Sequence, residues 1–124
     1  MKKLLLLIIL GFNFLMAQEK IYTFDEVYTS PEYIGPEKSL MKFVTQNFVM
    51  PEDVSASGVL EISFIVEISG KITNIKITKD LGSGTGQEAV RVMQQSPKWS
   101  PGKLMDGTPV KVIYVLPITL KSNN

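Results

Sequence analysis

Cysteine and histidine are both absent from the 124 residues, and each absence removes a class of chemistry. Without cysteine there is no disulfide framework, no thiolate zinc site and no cysteine nucleophile. Without histidine the commonest general base and the commonest metal ligand are gone. An excess of one charge is lacking too. The 13 basic and 12 acidic side chains leave a formal net charge of +1, which gives no global pull toward nucleic acid or an anionic membrane surface. The length allows one domain of ordinary size.

Long apolar runs are also scarce, and the one present is at the start. Lys2 and Lys3 precede an almost unbroken apolar stretch from Leu4 to Met16, interrupted by Gly11 and Asn13 and ending in Leu15-Met16-Ala17. A membrane span needs roughly 20 apolar residues, and this run is shorter. Residues 1–17 are therefore expected to be a signal peptide cleaved after Ala17, with a retained short anchor as the alternative. No cysteine follows the run to carry a lipid.

Residues 18–35 read as a lead-in, and residues 36–124 as the domain. Within the lead-in, Ile21-Tyr22-Thr23-Phe24 predicts a short strand that Thr29-Ser30-Pro31 breaks. Pro36 and Glu37 suit a helix amino terminus, and Leu40, Val44 and Phe48, with Met41 and Phe43, follow helical spacing. Pro51 stops that helix, and Glu52 to Ser57 allows one further turn, with Gly58 at its end. From Leu60 the period becomes two. Leu60, Ile62, Phe64, Val66 and Ile68 mark a half-buried strand, Ser69-Gly70 a two-residue turn, and Lys71 to Lys79 the return strand. Its apolar set, Ile72 then Ile75 and Ile77, slips once, which predicts a bulge near Thr73-Asn74. Thr85 and Glu88 have capping-box spacing, and Ala89, Val90 and Met93 give the second helix an apolar side. Pro97 and Pro101 enclose Trp99, Asp106-Gly107 signals a turn, and Val110 to Leu120 alternates as the last strand.

These elements predict an α+β domain, a small three-stranded antiparallel sheet with two helices packed on one face. The last strand is expected to pair with Leu60 to Ile68. Pro117 lacks a donor and is tolerated essentially only at a sheet edge, so the last strand is expected to be an edge open to strand addition.

Candidates for catalysis, metal and phosphate binding fail on spacing. Glu61 and Glu67 are about 20 Å apart along a strand rising about 3.3 Å per residue, whereas paired catalytic carboxylates lie within about 9.5 Å. Glu52-Asp53 and Asp25-Glu26 lack the pattern of a calcium loop. Gly82, Gly84 and Gly86 sit where a phosphate loop would, but G-x-G-x-x-G needs glycine at Gln87. Trp99 reads as a core anchor. Lys71, Lys76 and Lys79 read as protection of an edge rather than a nucleic-acid site. No enzymatic activity, metal or cofactor is expected.

At this point the chain resembles the carboxy-terminal domain of the TonB energy-transducer family over roughly Pro31 to Leu120. The resemblance rests on Pro31-Glu32-Tyr33, Pro51, the hairpin with Gly70, the helix from Gln87 to Gln95, Pro97-Lys98-Trp99-Ser100-Pro101-Gly102-Lys103, Gly107-Thr108-Pro109-Val110 and Leu116-Pro117-Ile118. It implies a periplasmic module that grips the TonB box of outer-membrane transporters by strand addition at the last strand. The residues implied are Val110, Lys111, Val112, Ile113, Tyr114, Val115 and Leu116, with pairing ended by Pro117. The family's box-contact segment corresponds here to Asn47-Phe48-Val49-Met50-Pro51, which makes Met50 and Pro51 candidates for a secondary contact. Full transducers carry a membrane anchor with a histidine and a long proline-rich spacer. The features found here point away from direct coupling to the inner-membrane proton-channel complex. A second reading is an envelope assembly module that uses the same edge for homodimerisation or another partner.

Overall fold

The structure, a computed structural model, describes residues 19–52 and 57–121. The expected signal peptide lies outside those residues, as does most of the extra turn expected at Glu52 to Ser57. In chain order the elements are β1 (Ile21–Tyr22), a 3-10 turn (Phe24–Glu26), β2 (Glu32–Tyr33), α1 (Leu40–Asn47), β3 (Gly58–Val66), β4 (Ile72–Lys79), α2 (Thr85–Gln94), β5 (Trp99–Ser100), β6 (Gly102–Lys103) and β7 (Pro109–Leu120).

Alternation in β3 and β7 sets the core. Leu60, Ile62, Phe64 and Val66 of β3 and Leu116, Ile118 and Leu120 of β7 are buried together with Phe43 and Val44 of α1, Ala89, Val92 and Met93 of α2, and Trp99. Both helices thus cover the same sheet face, as expected. β3 and β7 pair antiparallel from Gly58↔Leu120 to Val66↔Val112, and β4 pairs with the other side of β3. The expected bulge is present. The β3–β4 register shifts between Ser63 and Ile65, where Asn74 takes φ +53°, a left-handed conformation that asparagine tolerates.

Several local expectations are corrected. α1 starts at Leu40, not at Pro36, because the Ser39 hydroxyl accepts the Lys42 N–H (3.1 Å) and satisfies an otherwise orphaned donor. Gly58 opens β3 instead of closing a helical turn. The hairpin loop has three residues, Ile68 to Gly70. Gly70 N–H bonds Glu67 C=O (2.8 Å), Glu67 N–H bonds Lys71 C=O (2.8 Å), and Gly70 takes φ +87°. This is the pattern of a tight turn followed by a left-handed glycine, and it lifts Ile68 off the strand face. Thr85 does not cap α2. Gly84 holds the cap position, while the Thr85 hydroxyl donates to Gly82 C=O (2.7 Å).

The sheet itself is larger than expected. It has five strands and is mixed, in the order β1-β7-β3-β4 with β6 also on β7, and a separate ribbon joins β2 to β5. The lead-in causes the change: β1 lies parallel to β7 with Ile21↔Lys111 and Tyr22↔Val112. β7 is therefore an interior strand at Lys111 and Val112, and an edge only beyond them. Pro117 reports on the peptide groups around itself, not on the whole strand.

Candidate partner-binding edge

The orientation of β7 follows from one hydrogen bond. Glu61, in register with Pro117, accepts the Thr78 hydroxyl at its C=O (3.1 Å), so its backbone turns toward β4 and away from β7. In an antiparallel ladder the residue opposite such a position turns its own backbone outward. Pro117 hence loses no ladder bond, and the alternating Lys111, Ile113 and Val115 also turn their backbones to the outer edge. Their side chains lie on the sheet face away from the helices, where Ile113 is 38% and Val115 51% exposed. Val110, Val112 and Leu116 point inward and are buried, and Tyr114 is half-buried.

Tyr114 joins this edge to the core. Its ring stacks on Phe64 (5.2 Å between centroids, 9°) and meets Trp99 edge-on (5.0 Å). Phe24 closes the row from outside, edge-on to Tyr114 at 5.1 Å. Burial raises the Tyr114 phenol above its ordinary pKa. Thr23, Phe24 and Asp25 face Ile113 and Val115 across an open hollow of about 340 Å³. Lys111 is tied down as well, by Glu19 at 3.0 Å and Glu67 at 3.4 Å. The Glu19 hydrogen bond, with the nearby Glu67 charge, raises the pKa of its ammonium.

Met50 and Pro51 do not join Val110–Leu116. Met50 lines a groove of about 190 Å³ between α1 and the far end of β7, with Phe48, Ile118 and Leu120 among its walls. Pro51 lies beside Gly84, where an added Cβ would come within 3.8 Å of its ring. The two candidate contacts thus lie toward the far end of β7 and the glycine loop.

That loop already holds an anion of its own. Asp80 Oδ1 accepts the N–H groups of Gly82 (2.9 Å) and Gly86 (3.2 Å), and a Cβ on Gly86 would lie 2.7 Å from Asp80 Oδ2. A carboxylate at the start of α2 takes the amides that a phosphate would need. The signal was local: aspartate readily bonds the backbone two residues on.

A second feature missed in the sequence is a clamp between α2 and the end of α1. Glu88 pairs with Arg91 (2.7 Å) and accepts Val49 N–H (2.7 Å), while Arg91 donates to Asn47 C=O (2.8 Å). The Arg91 hydrogen bonds hold the Glu88 carboxyl below its ordinary pKa. A lowered folded-state value means that the stabilisation is present above the unfolded value, about 4.3, and is lost as pH falls through the folded one. Arg91 is partly exposed and solvent screens the pair, so Glu88→Gln is expected to cost about 1 kcal/mol at neutral pH. Urea unfolding from pH 7 to pH 3 should show wild type and variant converging below about pH 4.

β4 is the other edge, and Lys71, Lys76 and Lys79 run along it or at its start, as expected for a protected edge. Among the described residues, no helix is long and apolar enough to cross a membrane. Searches of curated proteins and of solved structures gave no match. A family model does match. The Gram-negative bacterial TonB protein C-terminal model covers residues 53–121, from the approach to β3 through the end of β7. More than half of the chain is spanned by that match, and the chain belongs to the TonB C-terminal family.

Proposed function

We propose that this protein is a periplasmic TonB-like binding module, without catalytic activity of its own. It engages the TonB box of outer-membrane transporters by adding a strand along Val110–Leu116 of β7. Family membership supports a role in TonB-dependent transport. The observation that carries the mode of binding is the outward backbone of Ile113 and Val115 on a strand whose inner edge is paired with β3 from Val112 to Leu120. Main-chain pairing holds many different sequences, and the Ile113–Val115 face adds modest selectivity.

Amide-resolved NMR titration of the protein with peptides from the plug segments of such transporters tests this. Saturable shifts concentrated at Val110–Leu116 support it, and no shifts at millimolar peptide overturn it. Size-exclusion separates the assembly reading, which expects a dimer that peptide leaves unchanged. Pro117 sets the length of the added strand, since it has no N–H to offer outward. Pro117→Ala is expected to extend peptide-induced amide protection toward Thr119. An unchanged paired length would show that the proline does not end pairing.

A further inference from the structure

The chain's own lead-in lies on the edge that the proposed function needs. β1 uses Lys111 and Val112, Glu19 binds the Lys111 ammonium, and Phe24 covers the outer side of Tyr114. In a parallel ladder the bonds around Val112, whose own backbone faces β3, come from its outward-facing neighbours Lys111 and Ile113, so β1 occupies both. A partner that leaves β1 in place is thus limited to Val115 as an outward donor before Pro117, whereas one that displaces it gains Lys111 and Ile113.

The segment is built to leave. Its ladder is two residues long, and Ile21 and Phe24 are 47% and 45% exposed, so little apolar surface holds it down. The 3-10 turn carries its own internal bonds: Glu26 accepts Thr23 N–H (3.0 Å) and pairs with Lys20 (3.0 Å). Its downstream end is fixed separately. Lys103 C=O accepts the N–H groups of Tyr28 and Thr29, and Lys103 N–H bonds Thr29 C=O, each at 2.9 Å. Release can therefore stop at Thr29 and leave the β2–β5 ribbon untouched. A tether this short returns the segment to its seat at an effective concentration on the order of millimolar.

We propose that Glu19–Glu26 is a resident competitor for the β7 edge, and that a partner strand binds by displacing it. This rests on the strand-addition reading above. The competitor weakens the apparent affinity by the fraction of time the edge is free, about tenfold for a lead-in seated nine-tenths of the time.

The absence of native cysteine makes a clean test available. The double variant Ile21→Cys, Lys111→Cys joins two residues in register, within the reach of a disulfide. In one protein, oxidation then locks the lead-in down and reduction frees it. The expected result is loss of saturable plug-peptide binding on oxidation and its return on reduction. Phe24→Ala, at an exposed site that leaves the core intact, is expected to bind the peptide about fourfold more tightly than wild type, as a loss of about 1 kcal/mol from the seated lead-in implies. Equal binding by the oxidised and reduced forms would overturn the competitor while leaving strand addition standing. Absence of binding in every form, the reduced and Phe24→Ala proteins included, would overturn both. A covalent dimer on oxidation would also overturn it, by placing the lead-in of a second copy on the edge.

Discussion

Gly70→Ala is expected to destabilise the protein by about 3 kcal/mol and to lower its melting temperature by roughly 15 °C. Gly70 lies where the β3–β4 hairpin meets β5. An added Cβ would sit 2.0 Å from Trp99 C=O, with the Trp99 carbonyl carbon and nitrogen at 3.1 and 3.2 Å. The neighbour in the way is backbone and has no rotamer to escape into. Backing the turn off would break the 2.8 Å bond from Trp99 N–H to Gly70 C=O. The residue also sits at φ +87°, which alone disfavours any side chain. Gly107 supplies the control. Its φ is +88°, yet nothing lies within 4 Å of its Cβ position. Gly107→Ala should therefore cost only backbone strain, about 1 kcal/mol. Thermal unfolding of the two variants separates conformation from collision, and equal losses would show that the Trp99 contact is unimportant.

What could be read from the sequence divides along physical lines. β3, β4, β7 and the two helices announce themselves through periodicity, because each is long enough to bury one face repeatedly. The slip from Ile72 to Ile75 located a bulge for the same reason. The antiparallel pairing of β3 with β7 followed from keeping the sheet antiparallel around the hairpin, with Pro117 marking only an edge. β1 leaves no such trace. Two residues carry no period, and parallel pairing across some 90 positions needs no turn that composition could betray. The reading of β7 as a bare edge failed there, while its outward-facing Pro117 agrees with the geometry.

Local motifs misled where one pattern serves two structures. Thr85 and Glu88 have the spacing of a capping box, but Asp80 already satisfies the Gly86 amide at the start of the helix. Thr85 turns back to Gly82, and Glu88 is free to hold Val49 and Arg91. Ser69-Gly70 fits a two-residue turn, yet docking against Trp99 favours the three-residue form that aims Gly70 C=O at β5. In both cases a tertiary partner decided between alternatives of similar local cost.

Trp99→Ala is expected to cost about 4 kcal/mol. The indole is 2% exposed and meets Phe64, Tyr114 and Tyr33 edge-on, with centroids 5.5, 5.0 and 6.0 Å away. Its N–H donates to the Ser96 hydroxyl at 2.9 Å, so the polar tip is satisfied where the ring is buried. Truncation removes the ring and leaves a void between the sheet and the β2–β5 ribbon, which the surrounding aromatics can only partly fill. Since Trp99 is the one tryptophan, unfolding of the variant is followed by circular dichroism in urea rather than by fluorescence. Phe24, at the other end of the same aromatic row, gives the contrast. It is nearly half exposed, and Phe24→Ala should cost about 1 kcal/mol or less. A steep loss at the inner end and a shallow one at the outer end describe a row anchored through Trp99 and capped by a removable ring. Tyr114 lies between them, so a partner strand that replaces Phe24 meets a surface that the core already holds rigid. Comparable losses at both ends would mean that the lead-in is part of the core, and too costly to displace.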